Sequence, residues 1–571
     1  MYGLVSKPKR IRLRMAQISA LTLTTAMTVI PMGHSYAAPA PTTGAIMQQA
    51  MPPAPAMTPP PAVLSLPAPQ AQAESSNLKI PVKTLVIDGN KLLPAALLHA
   101  LVQPAEGQSL TLGELRDYVA RITSAYQAHG YPLAYAYLPA QQIRDGVIHI
   151  GIVEPNYDAV QILGHARLRV DVAKRTLGIT PGTPVAQAPL DRGLLLLDQT
   201  PGVKVNGVLV PGAQPRTSTL QVNVADEDLV SGDVYTSNYG NRYTGSYVVG
   251  FDTSVNDPFG YGSSIAFNGM YAPGGHLKAG GFNLNSPYIW NGLRLGVYGS
   301  YTDYHLGGSF TSLLQRGHAN QLGADLSYPL ILRPGRALNL RFDVLQNWLG
   351  QKTLSVGSAS KQSITLERVT LSGVESDHWQ GITTASLAIT QGNLAIGDAQ
   401  AKATDALGPK ARGNFETALL QIMRTQSISY GFTLTPSLTA QIASKNLDSS
   451  QQLYLGGPYG VMSYPVGEGG GDAGYLADVH LSHALLLPSH IPGQLQASIL
   501  AQTGAVWVNH NVYAGYAGAN RITEMGVGGE LTYDLKNWHG QIVYVHQAGP
   551  ANPAGLSTHG GQIWFLINYS F

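Results

Sequence analysis

The side chains best able to do chemistry are few and dispersed along this chain. His480 and His483 come nearest to a metal-binding pair, but residues three apart in a strand point to opposite faces. Glu468 and Asp472 have the types needed for general acid and base work. Their setting among Gly467, Gly469, Gly470 and Gly471 instead describes a solvated loop. That glycine run is not followed by Lys-Ser or Lys-Thr, so it is no phosphate cradle. H-E-x-x-H and G-x-S-x-G are likewise absent. With no cysteine in the chain, thiolate nucleophiles, disulfides and Cys-ligated zinc are excluded together. The expectation is a protein that is not an enzyme and that uses no cofactor, metal or nucleotide.

Composition narrows the class further. Lys7, Lys9, Arg10, Arg12 and Arg14 precede an uncharged stretch from Met15 to Met32, and Ser35-Tyr36-Ala37 supplies a small-x-small cleavage site. Residues 1–37 therefore read as a secretion signal. A retained anchor fits less well, because Pro31 interrupts the stretch and no stop-transfer pattern follows. Taking those five cations from the 35 Lys+Arg, against 33 Asp+Glu, leaves a net charge of −3. No concentrated basic surface remains to suggest nucleic acid. Only 12% of residues are charged, mean hydropathy is close to zero and there are 64 glycines. After the signal, no apolar run is long enough for a membrane helix. A membrane location would thus require a sheet closed on itself.

Three regions follow the signal. Residues 38–77 are rich in Pro and Ala and read as a linker, with a short helix possible around Thr43 to Met51. Residues 78–154 and 155–225 read as two α+β units in tandem. The first has a strand carrying Leu85 and Ile87, a turn at Asp88-Gly89-Asn90, and a helix with Pro94 at its first position and Leu97, Leu98 and Leu101 on one side. A second helix has a capping box at Thr111 and Glu114, with Leu112, Leu115, Val119, Ile122 and Tyr126 on one face and His129-Gly130 at its end. Strands Tyr131 to Leu138 and Val147 to Glu154 complete it. The second unit repeats the order, with a strand at Ala159 to Leu163, helical Leu190, Leu194 and Leu197, and strands around Val203 to Val210 and Leu220 to Val224.

From 226 to 571 the pattern becomes short alternating segments. Tyr247, Val249, Phe251, Thr253 and Val255 share one face, as do Leu338, Leu340, Phe342 and Val344, whereas Arg341 and Asp343 lie on the other. Ile563, Phe565, Ile567, Tyr569 and Phe571 alternate to the last residue. Apolar-out, polar-in alternation over about 345 residues has room for about 16 strands of a transmembrane antiparallel β-barrel.

Specific runs then carry a resemblance. Gly130-Tyr131, Tyr137-Leu138-Pro139-Ala140-Gln141 and Ile143-Arg144-Asp145-Gly146-Val147 resemble the G-Y, L-P-x-Q and I-x-D-G-x runs of the first POTRA domain in TpsB proteins. These are the outer-membrane transporters of two-partner secretion, among them FhaC and ShlB. Leu197 to Val203 and Leu209-Val210-Pro211-Gly212 are similar to the second domain's signature. The resemblance implies two periplasmic POTRA domains before a 16-stranded barrel, a helix able to occupy the pore, and a sixth extracellular loop folded into the lumen. It implies as partners an unfolded secreted exoprotein and outer-membrane lipid, with no nucleic acid and no nucleotide, the chain acting as a monomer. The cargo groove would lie between the helix Leu112 to His129 and the strand Tyr131 to Leu138, using Leu115, Tyr118, Tyr126, Tyr131, Tyr135 and Tyr137. A plain spacer role for these surfaces is the alternative.

The loop departs from the family. Val461-Met462-Ser463-Tyr464 stands where a V-R-G-Y tip is expected, and Gln502, two residues before Gly504, replaces the aspartate of an F-x-D-x-G strand motif. Losing one partner of a buried ion pair costs roughly 3–5 kcal/mol, a penalty that losing both avoids. Met462 is therefore expected to pack near Gln502 through apolar contact and a side-chain amide; an unanchored loop is the alternative. An assembly factor like BamA or TamA would carry more POTRA domains and the loop arginine. A passive pore that has lost secretion is the third reading.

Overall fold

A computed structural model describes residues 40–50, 57–65, 78–549 and 560–571. The expected secretion signal lies outside them. The first described element is a helix, α1 (Thr43–Gln49), whose N-cap Thr42 accepts a hydrogen bond from the Ala45 amide. It is followed by a two-residue strand, Leu64–Ser65. Residues 38–77 are thus not structureless throughout: Ile46, Met47 and Val63 are buried. Prolines break any sequence periodicity in this region, so its burial arises from tertiary contact alone.

In the first α+β unit the strand Thr84–Asp88 pairs in parallel with Val147–Val153, which pairs antiparallel with Tyr135–Tyr137. Helices α2 (Ala95–Val102) and α3 (Leu112–Ala128) cover one face of this sheet. The capping box forms as expected, with Thr111 accepting from the Glu114 amide and Glu114 accepting from the Thr111 amide. α3 buries Leu115, Val119, Ile122 and Tyr126, and each such burial stabilises by about 1.5–3 kcal/mol. An aspartate at Ile122, 0% exposed, would break this face first.

Three local readings need correction. Pro94 is the N-cap of α2, not its first residue, and Leu97 is exposed while Leu98 and Val102 are buried. The strand expected over Tyr131 to Leu138 shrinks to Tyr135–Tyr137. Pro132 has no N–H, and the Ala134 amide closes a turn onto the Tyr131 carbonyl at 3.2 Å.

The second unit contains α4 (Val170–Leu177), unmarked by the sequence reading, and α5 (Gln187–Asp198). α4 stops at Gly178, whose φ of 65° is the left-handed cap that glycine adopts without strain. The sheet runs in the order Leu64–Ser65, Val203–Pro211, Thr217–Asp226, Asn156–Leu163. Leu190, Leu194 and Leu197 are fully buried against it. Leu332, Ala337 and Val374 of the barrel rim join the same core, so this unit is packed onto the barrel.

Sixteen antiparallel strands, from Val230–Ser237 to Gly561–Ser570, close into a barrel. Closure leaves no sheet edge in lipid, the requirement for backbone polar groups there. The seam between first and last strands has only five residue pairs, Asp233↔Ser570 to Ser237↔Leu566. Phe251, Leu295, Phe342, Val344, Ile563 and Ile567 are exposed on the outer surface. Arg341 points inward, 3.1 Å from Asp325 and 2.8 Å from Asp343. The chain enters the first strand from the α+β units, so odd-numbered strands run outward and the connection after the eleventh strand, Phe432–Ala443, lies at the extracellular end.

Candidate functional site

The lumen is closed by two pieces of the chain other than the barrel wall. The first is α1. Thr43 Oγ1 shares a hydrogen bond of 2.8 Å with the Tyr304 hydroxyl, and Gln315 Nε2 donates to the Pro41 carbonyl at 3.0 Å. Ile46 packs with Val248, Ala272, Leu277 and Leu306, and Met47 with Leu345, Leu349 and Ile364. Apolar side chains on a lumenal wall are out of place in a water-filled pore, and here they form the seat of the helix.

The second piece is the loop between the eleventh strand and the twelfth, Ala473–Leu485. Its tip folds back against the wall: Val461 and Ser463 are 0% exposed and Tyr464 is 1% exposed. The Met462 amide donates to Gln502 Oε1 at 2.8 Å, and the Met462 carbonyl accepts from Trp564 Nε1 at 2.7 Å. Gln547 Nε2 donates to the Ser463 carbonyl at 3.1 Å. The Met462 side chain packs beside Leu500, Val543, Val545 and Trp564. Gly504 permits this approach, because a Cβ there would stand 2.7 Å from Leu455 Cδ2. Glu468 and Asp472 are not solvated as expected but buried, and Asp472 fixes the loop base, accepting from the Leu447 amide at 3.1 Å, Gln452 Nε2 at 2.9 Å and the His510 amide at 2.9 Å. No net charge is required in any contact at the tip.

The two closures also touch. Gln48 Nε2 donates to the Ser450 carbonyl at 2.5 Å. Asn241 Nδ2 donates both to Gln49 Oε1 at 3.1 Å and to the Val466 carbonyl at 3.0 Å. Gly44 allows the contact, since a Cβ there would lie 2.7 Å from Ser449 Oγ. Sequence reading named Met462 and Gln502 but missed Trp564, Gln547 and Asn241. A signal for Trp564 was present: it is a large apolar residue on the inward-facing register of the last strand, between outward Ile563 and Phe565.

The six residues named for a cargo groove divide. Leu115 and Tyr126 are 2% and 0% exposed, and Tyr126 donates its hydroxyl to Glu154 Oε1 at 2.7 Å. Burial, and then the Glu154 hydrogen bond, push the Tyr126 phenol above its usual range. These two are core residues that a partner cannot reach. Tyr135 and Tyr137 are exposed on the edge strand, Tyr118 is half-buried under Arg121, and Tyr131 packs against Tyr126. The Ala136 amide on that edge is already taken by Thr123 Oγ1 at 3.0 Å.

Among the described residues, no group of three or more His, Asp or Glu is placed to hold a metal, and no helix is long and apolar enough to cross a membrane. The latter says nothing of crossing by strands.

Comparison with known proteins bears on this geometry. The model of the haemolysin secretion/activation protein family ShlB/FhaC/HecB matches residues 216–528, and a ShlB-type POTRA domain model matches residues 80–155. The heme/hemopexin transporter protein HuxB of Haemophilus influenzae is 27% identical over 423 residues, covering 73% of this chain and 75% of that protein. The outer membrane transporter CdiB of Escherichia coli is 25% identical over 198 residues, 34% of this chain and 33% of that protein. Two solved structures share the fold. CdiB from Escherichia coli has a TM-score of 0.71 at 18% identity, covering 88% of this chain and 93% of that chain. CdiB from Acinetobacter baumannii has a TM-score of 0.62 at 14% identity, covering 90% and 94%.

Proposed function

Because the chain belongs to the haemolysin secretion/activation family of ShlB, FhaC and HecB, outer-membrane transporters of two-partner secretion rather than enzymes, we propose that it takes up one exoprotein in unfolded form and passes it through the barrel. The observation that carries this reading is the lumen itself, filled by α1 and the folded-back loop. Both α1 and the loop tip are held by neutral hydrogen bonds and apolar contacts. A neutral hydrogen bond contributes a net 0.5–1.5 kcal/mol, so each contact is weak enough to be exchanged for contacts with cargo.

Capture would begin at the accessible tyrosines Tyr118, Tyr135 and Tyr137 of the periplasmic POTRA region. An extended chain recognised through its main chain and apolar side chains need not have one sequence. Withdrawal of α1 would open the passage, and release of Met462 would let the loop move aside. Folding of the cargo outside supplies direction, since the periplasm offers no nucleotide to drive export. The protein acts as a monomer in lipid, in contact with it through its outward apolar face.

Deleting the gene and comparing secreted proteins tests this. Loss of one large exoprotein is expected. Broad loss of outer-membrane barrels would instead indicate an assembly factor, and no change a passive pore.

A further inference from the structure

The outward face of the barrel changes character toward its extracellular end along four neighbouring strands. These are the fifth, Arg294–His305, the sixth, Gln315–Arg333, the seventh, Arg336–Thr353, and the eighth, Ser358–Ser376. Their outward residues stand in rows across the sheet. Leu326, Phe342 and Val369 make one row of the apolar, lipid-facing surface. Six residues further up each strand the row is Tyr301, Asn320 and Trp348, aromatic side chains of the kind that mark the edge of the apolar band. The next row up holds His318 and Lys361, and the one above it sets Arg316 directly opposite Lys352.

Like charges directly opposite one another in a sheet are destabilising, and no acid offsets this pair. Asp303 is the one acid in these two rows, and it stands between His318 and Lys278 of the fourth strand, Leu277–Asn285. The connections above, residues 306–314 and 354–357, carry no charge. Arg316, Lys352 and Lys361 are exposed, and among the described residues none of them forms an ion pair. Elsewhere around the rim the pattern is different. The exposed residues near the same end of the tenth and eleventh strands are Asn414, Glu416 and Ile442, and Arg521 of the fourteenth lies over the Trp507 ring.

We propose that the extracellular ends of the fifth to eighth strands bind the headgroup of a phosphate-bearing glycolipid of the outer leaflet. One phosphate lies between Arg316 and Lys352, where the planar guanidinium can take two of its oxygens and the ammonium a third. His318 and Lys361 flank it one row below, and the acyl chains run down over Leu326, Phe342 and Val369. The occupant is a lipid because the cationic rows continue directly into the lipid-facing surface along the same strands. Headgroup binding fixes the long side of the barrel at one depth, since the sixth to eighth strands have 18 or 19 residues and the first four only 8 or 9. The site does not depend on what passes through the lumen.

The test is native mass spectrometry of the full chain in detergent, titrated with bisphosphorylated lipid A. The parent is expected to retain this lipid, and Arg316→Gln/Lys352→Gln to bind it about 25-fold more weakly, from about fivefold for each cation removed. Arg521→Gln should bind as the parent does. Equal affinity of the parent and the double variant overturns the proposal, as does binding of dephosphorylated lipid A or of phosphatidylglycerol as tight as that of lipid A. Displacement of lipid A by an equal concentration of inorganic phosphate would mark a free-anion site and overturn it too. The lipid comparisons are made on the parent, so they stand even if the double variant misfolds.

Discussion

Replacing Gln502 by leucine isolates the contact that holds the loop tip. Leucine keeps a side chain of similar size on the thirteenth barrel strand, Gln494–Trp507, and removes the acceptor 2.8 Å from the Met462 amide. Gln502 is 6% exposed, so water cannot readily substitute. A buried amide left without a partner costs about 1–3 kcal/mol. At about 2 kcal/mol, the fraction of molecules with the tip detached rises about 30-fold, since 1.4 kcal/mol is tenfold. Hydrogen exchange followed by mass spectrometry on the detergent-solubilised chain reads this directly. Peptides spanning Gly460 to Pro465 should exchange roughly 10- to 100-fold faster, and those from barrel strands at the parental rate. Unchanged exchange at the tip would refute the assignment of Gln502 as an anchor and leave the bonds from Trp564 and Gln547 as the holding contacts.

Further outcomes follow from the same contacts. Gly44→Val overpacks α1 against Ser449 and Ser450 by about 1–3 kcal/mol, and single-channel recordings should show more frequent opening. Thr123→Ala frees the Ala136 amide at 3.0 Å; releasing a competing bond of about 1 kcal/mol should strengthen unfolded-chain binding about fivefold by fluorescence anisotropy. Glu114, exposed in its capping box, has its carboxyl held below the usual 4.5 by the Thr111 amide and then its hydroxyl. A depressed carboxyl stabilises above its unfolded value, and that contribution is lost as pH falls through the folded one. The melting difference between the parent and Glu114→Gln should therefore be full near neutrality and close on acidification below about 4.5, as thermal denaturation would show.

Legibility followed period and capping chemistry. The alternation of Phe342 and Val344 with Arg341 and Asp343 places side chains on two faces without any tertiary information, and the barrel repeats that rule sixteen times. The Thr111–Glu114 box is equally local. What escaped depends on partners distant in sequence. Val63 is buried only because α5 and the strand Val203–Pro211 receive it, and nothing in its proline-rich surroundings marks it. Tyr126 and Tyr135 look alike in sequence; only the fold puts one at 0% exposure and the other at 47%. At the loop, recognising that both charged partners were missing identified Gln502, but which wall residues would take over required the registers of the last strands.

The most direct measurement is the conductance of the full chain and of one lacking residues 43–49, each reconstituted into planar lipid bilayers. If the lumen is a passage closed by the chain's own helix, the full chain should be mostly shut with brief openings, and the shortened one should carry a steady, larger current. Equal conductance in the two would mean that α1 does not close the passage, and no current from either would contradict a passage through the barrel at all.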